Sequence, residues 1–401
     1  EEINLKGYAL PLTVNLGLLA AVQSADCDTR LTTEVSKPAS STGTFARMAE
    51  GAHFMRFASA AYGSALMLVF GLIPTRTKEQ MALPMETLEK ECICEHTGVA
   101  AADVLKLETE SLDLTGNASC LRHIVLADHA HKAIVLALRG TASLSDVVHD
   151  AVAHAESFCG GRAHSGMAAM ARSVWSEAGD SVVCALKKNP GYELVVTGHS
   201  LGAGTSGLLV ILLFHLRNDK DDALPPPPPP SVKLRGFCFA PPPVFAPLDK
   251  APNNAIPAIS AFVYGDDCVP FLSVRAGREL FAAAHGVDEA AAAMAGKDVL
   301  RTVTGQIAPA PVLATCAHAR VAALPVKEAT VELLMPAATF MWMRPVVVAA
   351  GEAKKFDAVE CDTAKVAEAV LGGIPLGIRM LADHMTGGYE AALNAIGRQT
   401  A

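Results

Sequence analysis

Charge and aromatic rings are scarce in this 401-residue chain: 18% of residues are charged and 5% aromatic, with 2 Trp. Positive charge is the scarcer sign. Lys and Arg number 33 against 41 Asp and Glu, a net charge of -8, so the basic face that a nucleic-acid partner needs is missing and nucleic acid is excluded. A composition that is 51% hydrophobic excludes disorder as a description of the whole chain. The ten cysteines show no paired metal-ligand spacing. Cys92-Ile93-Cys94 is too tight for a C-x-x-C site, and others sit in apolar runs such as Phe237-Cys238-Phe239. They read as small buried hydrophobes in a reducing compartment, and no metal or cofactor is expected. A basic segment leading into an apolar core and a cleavage site is also missing from the sequence given, which leaves open a signal or membrane segment upstream of Glu1.

Hydrophobicity is what the chain has in excess, with a mean hydropathy of +0.30. Three uncharged windows, 7–25, 57–75 and 194–216, approach the ~20 apolar residues a membrane span needs. The first holds Pro11, Asn15 and Gln23, and the second Ser59, Tyr62, Gly63, Ser64 and Gly71. The third contains the turn discussed below. Much of the hydropathy comes from 70 alanines, which raise the index while burying little area each. The expectation is a globular domain that visits or rests on a membrane, cytoplasmic or peripheral. It reads as the catalytic part of a longer protein whose anchor would lie upstream of Glu1.

Residues 1–120 read as a mainly helical region packed on the core. From 121 onward strand patterns alternate with helical ones, as in a mostly parallel sheet covered on both faces. Strands are expected at 124–126, 133–138, 193–197, 232–239 and 259–264, and helices at 167–187 and 201–216. A charged loop from Asn218 to Asp222 leads to six consecutive prolines, from Pro225 to Pro230. They read as a surface insertion, with an SH3- or WW-type partner as the functional alternative.

Chemistry concentrates at Gly198-His199-Ser200-Leu201-Gly202. This G-x-S-x-G follows the β-branched Leu194-Val-Val-Thr197 and precedes an apolar helical run. That is the context of a nucleophile elbow, in which small residues let a strained turn lift the Ser Oγ above the sheet. Such a serine needs a base and the base a carboxylate. Three downstream histidines lie outside the elbow helix: His285 in an Ala-rich helical stretch, His318 in an irregular segment, and His384 in a loop before a final helix. His384 is the best placed. The acid is expected just past the 259–264 strand, where Asp266 and Asp267 compete and the residues alone do not separate them. Thr141, just past the 133–138 strand in Leu138-Arg139-Gly140-Thr141, suits a second oxyanion donor beside the Leu201 N–H.

These pieces resemble the class 3 (fungal-type) lipases, and among them the sn-1-specific diacylglycerol lipases. The resemblance rests on Arg139-Gly140-Thr141 with Asp146 and Asp150, His164-Ser-Gly-Met167, and Gly198 through Gly204. It continues through Phe239-Ala-Pro-Pro-Pro243, Asp266-Asp-Cys-Val-Pro270 with Phe271-Leu-Ser273, and Asp383-His384 ahead of Tyr389. Phe57-Ala-Ser-Ala-Ala-Tyr-Gly63 is loosely similar to the segment such lipases carry before the core.

The resemblance implies an α/β-hydrolase fold over 121–401, with a variable insertion at 274–379. It implies Ser200 as nucleophile, His384 as base, Asp267 as acid and Thr141 as oxyanion residue. The implied reaction is acyl-ester hydrolysis of a glycerolipid at a lipid surface, diacylglycerol first, through an acyl-enzyme. The alternatives are a phospholipase A1, a broad triacylglycerol lipase or carboxylesterase, or an inactive lipase-like scaffold. Leu144, Val147, Val148, Ala151 and Val152, at helical spacing behind Ser143 or Ser145, read as a lid or pocket wall. The apolar runs 333–342 and 345–350 of the insertion are a second candidate to cover the site or touch membrane.

Overall fold

The structure is a computed structural model that describes residues 8–33, 36–38, 42–108, 121–141, 154–219, 221–325, 332–346, 355–377 and 379–398. The strands are β1 (Ser36–Pro38), β2 (Val104–Leu107), β3 (His123–Asp128), β4 (Ala133–Leu138), β5 (Ala155–Phe158), β6 (Gly161–His164), β7 (Glu193–His199), β8 (Leu234–Phe239), β9 (Phe245–Ala246), β10 (Ile259–Tyr264), β11 (Thr339–Val346) and β12 (Lys355–Asp362). The helices of six residues or more are α1 (Leu12–Thr33), α2 (Thr42–Ala60), α3 (Ser64–Val69), α4 (Met85–Thr97), α5 (Ser165–Lys188), α6 (Leu201–Leu216), α7 (Val274–Ala291), α8 (Gly296–Val303), α9 (Pro311–Ala322), α10 (Thr363–Ala369) and α11 (Thr386–Gly397).

One sheet organises the chain, in the order β1-β12-β11-β10-β8-β7-β4-β3-β2. Its middle, β11 through β4, is parallel, and antiparallel pairs close both edges. Parallel strands need both faces covered, so they read as continuous apolar runs. All six residues of β4 and of β3 are buried. One face packs against α5 and α6, the other against α2 and α11. Helix α6 is apolar on nearly every side and buried along almost its whole length, as a helix between a sheet and further helices must be.

The region before residue 120 is helical in bulk but also supplies β1 and β2, one at each edge of the sheet. The insertion is likewise part of the sheet. The apolar run expected to cover the site or touch membrane instead forms β11, whose Phe340, Met341, Trp342 and Met343 are buried beside β10. Apolarity there serves a strand covered on both faces. Helices α7, α8 and α9 build a separate small core with Leu18, Leu19 and Val22 of α1. Among the described residues, no helix is long and apolar enough to cross a membrane.

The proline run lies along the body. Trp175 Nε1 donates to the Pro225 carbonyl, and Arg217 donates to the carbonyls of Pro228, Pro229 and Val232. Eight described cysteines, including Cys92, Cys238 and Cys361, are free thiols. The residues expected to form a lid, from Ser143 to Val152, lie outside the described residues, as do Asp146 and Asp150.

Candidate active site

The parallel strands β4, β7 and β10 all point their C-terminal ends to one edge of the sheet. Loops gathered at such an edge are where α/β sheets place ligands. Thr141 follows β4, Ser200 follows β7, and Asp267 follows β10, so three residues distant in sequence come to one edge because β4 pairs with β7 and β10 lies one strand further, across β8.

Ser200 has φ 60° and ψ -127°, a left-handed conformation that a non-glycine residue adopts only under constraint. The constraint is visible on both sides. The Ser200 N–H donates to the Phe239 carbonyl at 2.9 Å, and its own carbonyl accepts the N–H groups of Ala203 and Gly204 as α6 begins. Gly202 is needed for this turn to sit against β4, since a Cβ there would lie 2.4 Å from the Leu138 carbonyl. The start of α6 directs its N-terminal dipole to the same point.

His384 caps the short turn Met380–Asp383 ahead of α11 and is buried, 7% exposed; the loop position expected for it is an enclosed one. Its Nε2 lies 2.9 Å from Ser200 Oγ, and its Nδ1 lies 3.0 Å from both carboxylate oxygens of Asp267. Asp267 is fully buried. Its Oδ1 accepts from the Val269 N–H at 2.9 Å and its Oδ2 from the Tyr389 hydroxyl at 2.6 Å. Geometry thus separates the two aspartates that the residues alone left tied. Asp266 turns outward, and its backbone N–H donates to Asp383 Oδ2 at 3.0 Å. His285 stacks on Tyr8 and His318 lies on α9; neither reaches Ser200.

Thr141 stands three residues past β4 with its Oγ1 buried and without a hydrogen-bond partner among the described residues. Leu201, 2% exposed, opens α6, where the first backbone N–H groups have no partner within the helix.

Further buried side chains pack against these residues. Tyr62, just past α2, donates its hydroxyl to His199 Nδ1 at 2.8 Å, and the His199 ring lies 4.8 Å from that of His384. Burial and the neighbouring His384 push His199 well below its ordinary pKa of 6.5. It therefore stays neutral. Burial also drives the phenols of Tyr62 and Tyr389 far above their usual range, so both remain donors. Asp383, 1% exposed, receives Arg379 Nε at 3.0 Å and the Asp266 N–H, tying the His384 turn to the loop of Asp267. In the sequence these residues show only as members of motifs, Tyr62 in the run 57–63 and Asp383 and Tyr389 around His384; their contacts do not show there.

The family model for lipase (class 3) matches residues 135–276. Mouse diacylglycerol lipase-beta is 32% identical over 182 residues, covering 40% of this chain and 26% of that protein. The chain spans about a quarter of the length of that curated relative. Among solved structures, Rhizomucor miehei triacylglyceride lipase aligns with TM-score 0.41 and 21% identity over 57% of this chain and 74% of its own. Lipase II from Rhizopus niveus aligns with TM-score 0.41 and 21% identity over 59% and 77%. The part of this chain that is similar to class 3 lipases therefore runs from β4 through the loop that carries Asp267.

Proposed function

We infer that the chain is a serine ester hydrolase of glycerolipids, acting first on diacylglycerol to give a monoacylglycerol and a fatty acid. The observation that carries this reading is the unbroken chain Ser200 Oγ, His384 Nε2, His384 Nδ1, Asp267, with every link at 2.9 to 3.0 Å. In this reading His384 takes the Ser200 proton as Oγ attacks the ester carbonyl, then returns it to the leaving glyceride oxygen. Asp267 holds the Nδ1–H tautomer and stabilises the imidazolium. The Leu201 N–H and Thr141 receive the developing oxyanion. Water then repeats the sequence to release the fatty acid from Ser200.

A lipid substrate is supported by the family and by the name of the mouse relative. It is supported too by apolar side chains left in solvent around His384: Leu381 is 51% exposed, Met385 40%, and Val69 at the end of the neighbouring α3 77%. An exposed apolar rim of this kind suits a site that meets a lipid surface.

The test uses a fluorophosphonate probe and three lipids. Wild type should label and Ser200→Ala should not, and diacylglycerol should turn over faster than triacylglycerol or phosphatidylcholine. Absence of labelling overturns the hydrolase reading. Labelling with a strong phospholipid preference overturns only the choice of substrate.

A further inference from the structure

At the opposite edge of the sheet three potential metal ligands converge, none of them part of the ester-hydrolysing site. His53 projects from α2, Asp128 is the last residue of β3, and His131 lies in the turn that joins β3 to β4. The donor atoms of all three lie within 4.8 Å of one another. Asp128, 4% exposed, is oriented by backbone, its Oδ1 accepting the N–H groups of Ala130 at 3.1 Å and His131 at 3.4 Å. That leaves Oδ2 facing His53 Nε2 at 2.5 Å and His131 Nδ1 at 3.2 Å. A carboxylate fixed by outer hydrogen bonds and aimed at two imidazoles is the pattern of a pre-oriented metal ligand set.

We propose that His53, Asp128 and His131 bind a divalent transition-metal ion of the zinc class, tying α2 to the β3–β4 hairpin. Two nitrogens and one carboxylate oxygen suit zinc, and three protein ligands leave one coordination position open. His131 also lines a cleft of about 630 Å³ with Glu50, Lys132, Tyr192, Glu193 and Arg235, and water serves as the fourth ligand.

The rings must part to admit the ion, because the imidazoles stack with centroids 3.6 Å apart. His131, 41% exposed on its turn, has the freedom to swing, whereas His53 is 12% exposed on α2. Arg56 donates to His53 Nδ1 at 2.8 Å, so Nε2 carries the ring proton in this state. Metal binding moves that proton from Nε2 to Nδ1 by way of water. Nδ1 then becomes a donor and Arg56 must leave it. The site is remote from Ser200, since Asp128 pairs with the first residue of β4 while Ser200 lies beyond the last. Its effect is on stability.

The experiment treats the whole chain with a chelator, then titrates zinc by calorimetry and cobalt by visible absorption. Wild type should take up one equivalent, give a tetrahedral cobalt spectrum and gain several degrees in Tm. His131→Ala, at an exposed position, should lower affinity by more than the roughly 10- to 100-fold typical of outer-sphere changes. Arg56→Gln should tighten binding, because it removes a group that opposes the metal-binding tautomer. The neighbouring His129→Ala should change nothing. No uptake by wild type overturns the proposal, and so does uptake equal in wild type and His131→Ala.

Discussion

Tyr389 Oη lies 2.6 Å from Asp267 Oδ2, making the phenol the shortest polar contact of the buried carboxylate that faces His384. Tyr389 is fully buried on α11, five residues after His384. Tyr389→Phe leaves the ring in place and removes only this donor. A hydrogen bond to a charged group contributes about 1.5–3 kcal/mol, so urea unfolding should show a loss of that order. Turnover should fall about tenfold, corresponding to ~1.4 kcal/mol of transition-state stabilisation. Wild-type stability in the variant would refute the assignment.

Asp267→Asn and Asp266→Asn should differ sharply. An amide at 267 favours the wrong His384 tautomer, a change that lowers kcat about 10⁴-fold in serine proteases. Asp266 faces outward, and its hydrogen bond toward the site is made by its backbone N–H, so its variant should keep turnover near wild type. Steady-state kcat on a soluble ester checks both. Equal losses would place the carboxylate role elsewhere.

Thr141 tests the oxyanion reading. Thr141→Val keeps the shape and backbone N–H but removes a buried hydroxyl that has no partner among the described residues. Loss of one such donor costs about 2.7–4 kcal/mol, or ~10²–10³ in kcat. Thr141→Ser should restore most of the activity. If Val and Ser variants behave alike, the hydroxyl has no part in the reaction.

Acid should destabilise the fold from about the ordinary histidine value of 6.5 downward. His199 is held well below that value by burial and His384, and His123 is lowered by burial. Below 6.5 the unfolded chain binds these protons and the folded one does not, so stability rises with pH across this window and is lost as pH falls. The urea midpoint should drop between pH 7.5 and 5.5, and His199→Gln should flatten that slope. A midpoint that rises on acidification would contradict the buried neutral imidazoles.

Glu89 and Arg122 form a buried pair, 4% and 8% exposed, at 2.7 Å. Glu89 also accepts the Ser64 N–H and hydroxyl at the start of α3, two residues from Tyr62. Glu89→Ala strands a buried guanidinium, which typically costs about 3–5 kcal/mol. Thermal unfolding should show it directly. Replacing both residues with apolar ones should recover part of the loss, and failure to do so would mean that the helix start, rather than the charge, is what Glu89 serves.

Local pattern made a great deal readable from the residues. The apolar runs of β4, β7 and β10 and the glycine-flanked Ser200 follow from rules that act within a few residues, strand alternation, burial on both faces and turn sterics. So does the placement of His384 before a final helix rather than within one. Residue pattern left Asp266 and Asp267 tied because adjacent carboxylates share every local property. Only the turn after β10, which sends one side chain inward and the other out, distinguishes them. The apolar stretch of β11 was open to a surface reading for the same kind of reason. Hydrophobicity records that a segment must be covered, and only its neighbours in the sheet determine by what. Tyr62 on His199, Tyr389 on Asp267 and His53 beside Asp128 belong wholly to the tertiary structure. Their partners are brought together by strand order and helix packing, which periodicity along the chain does not encode.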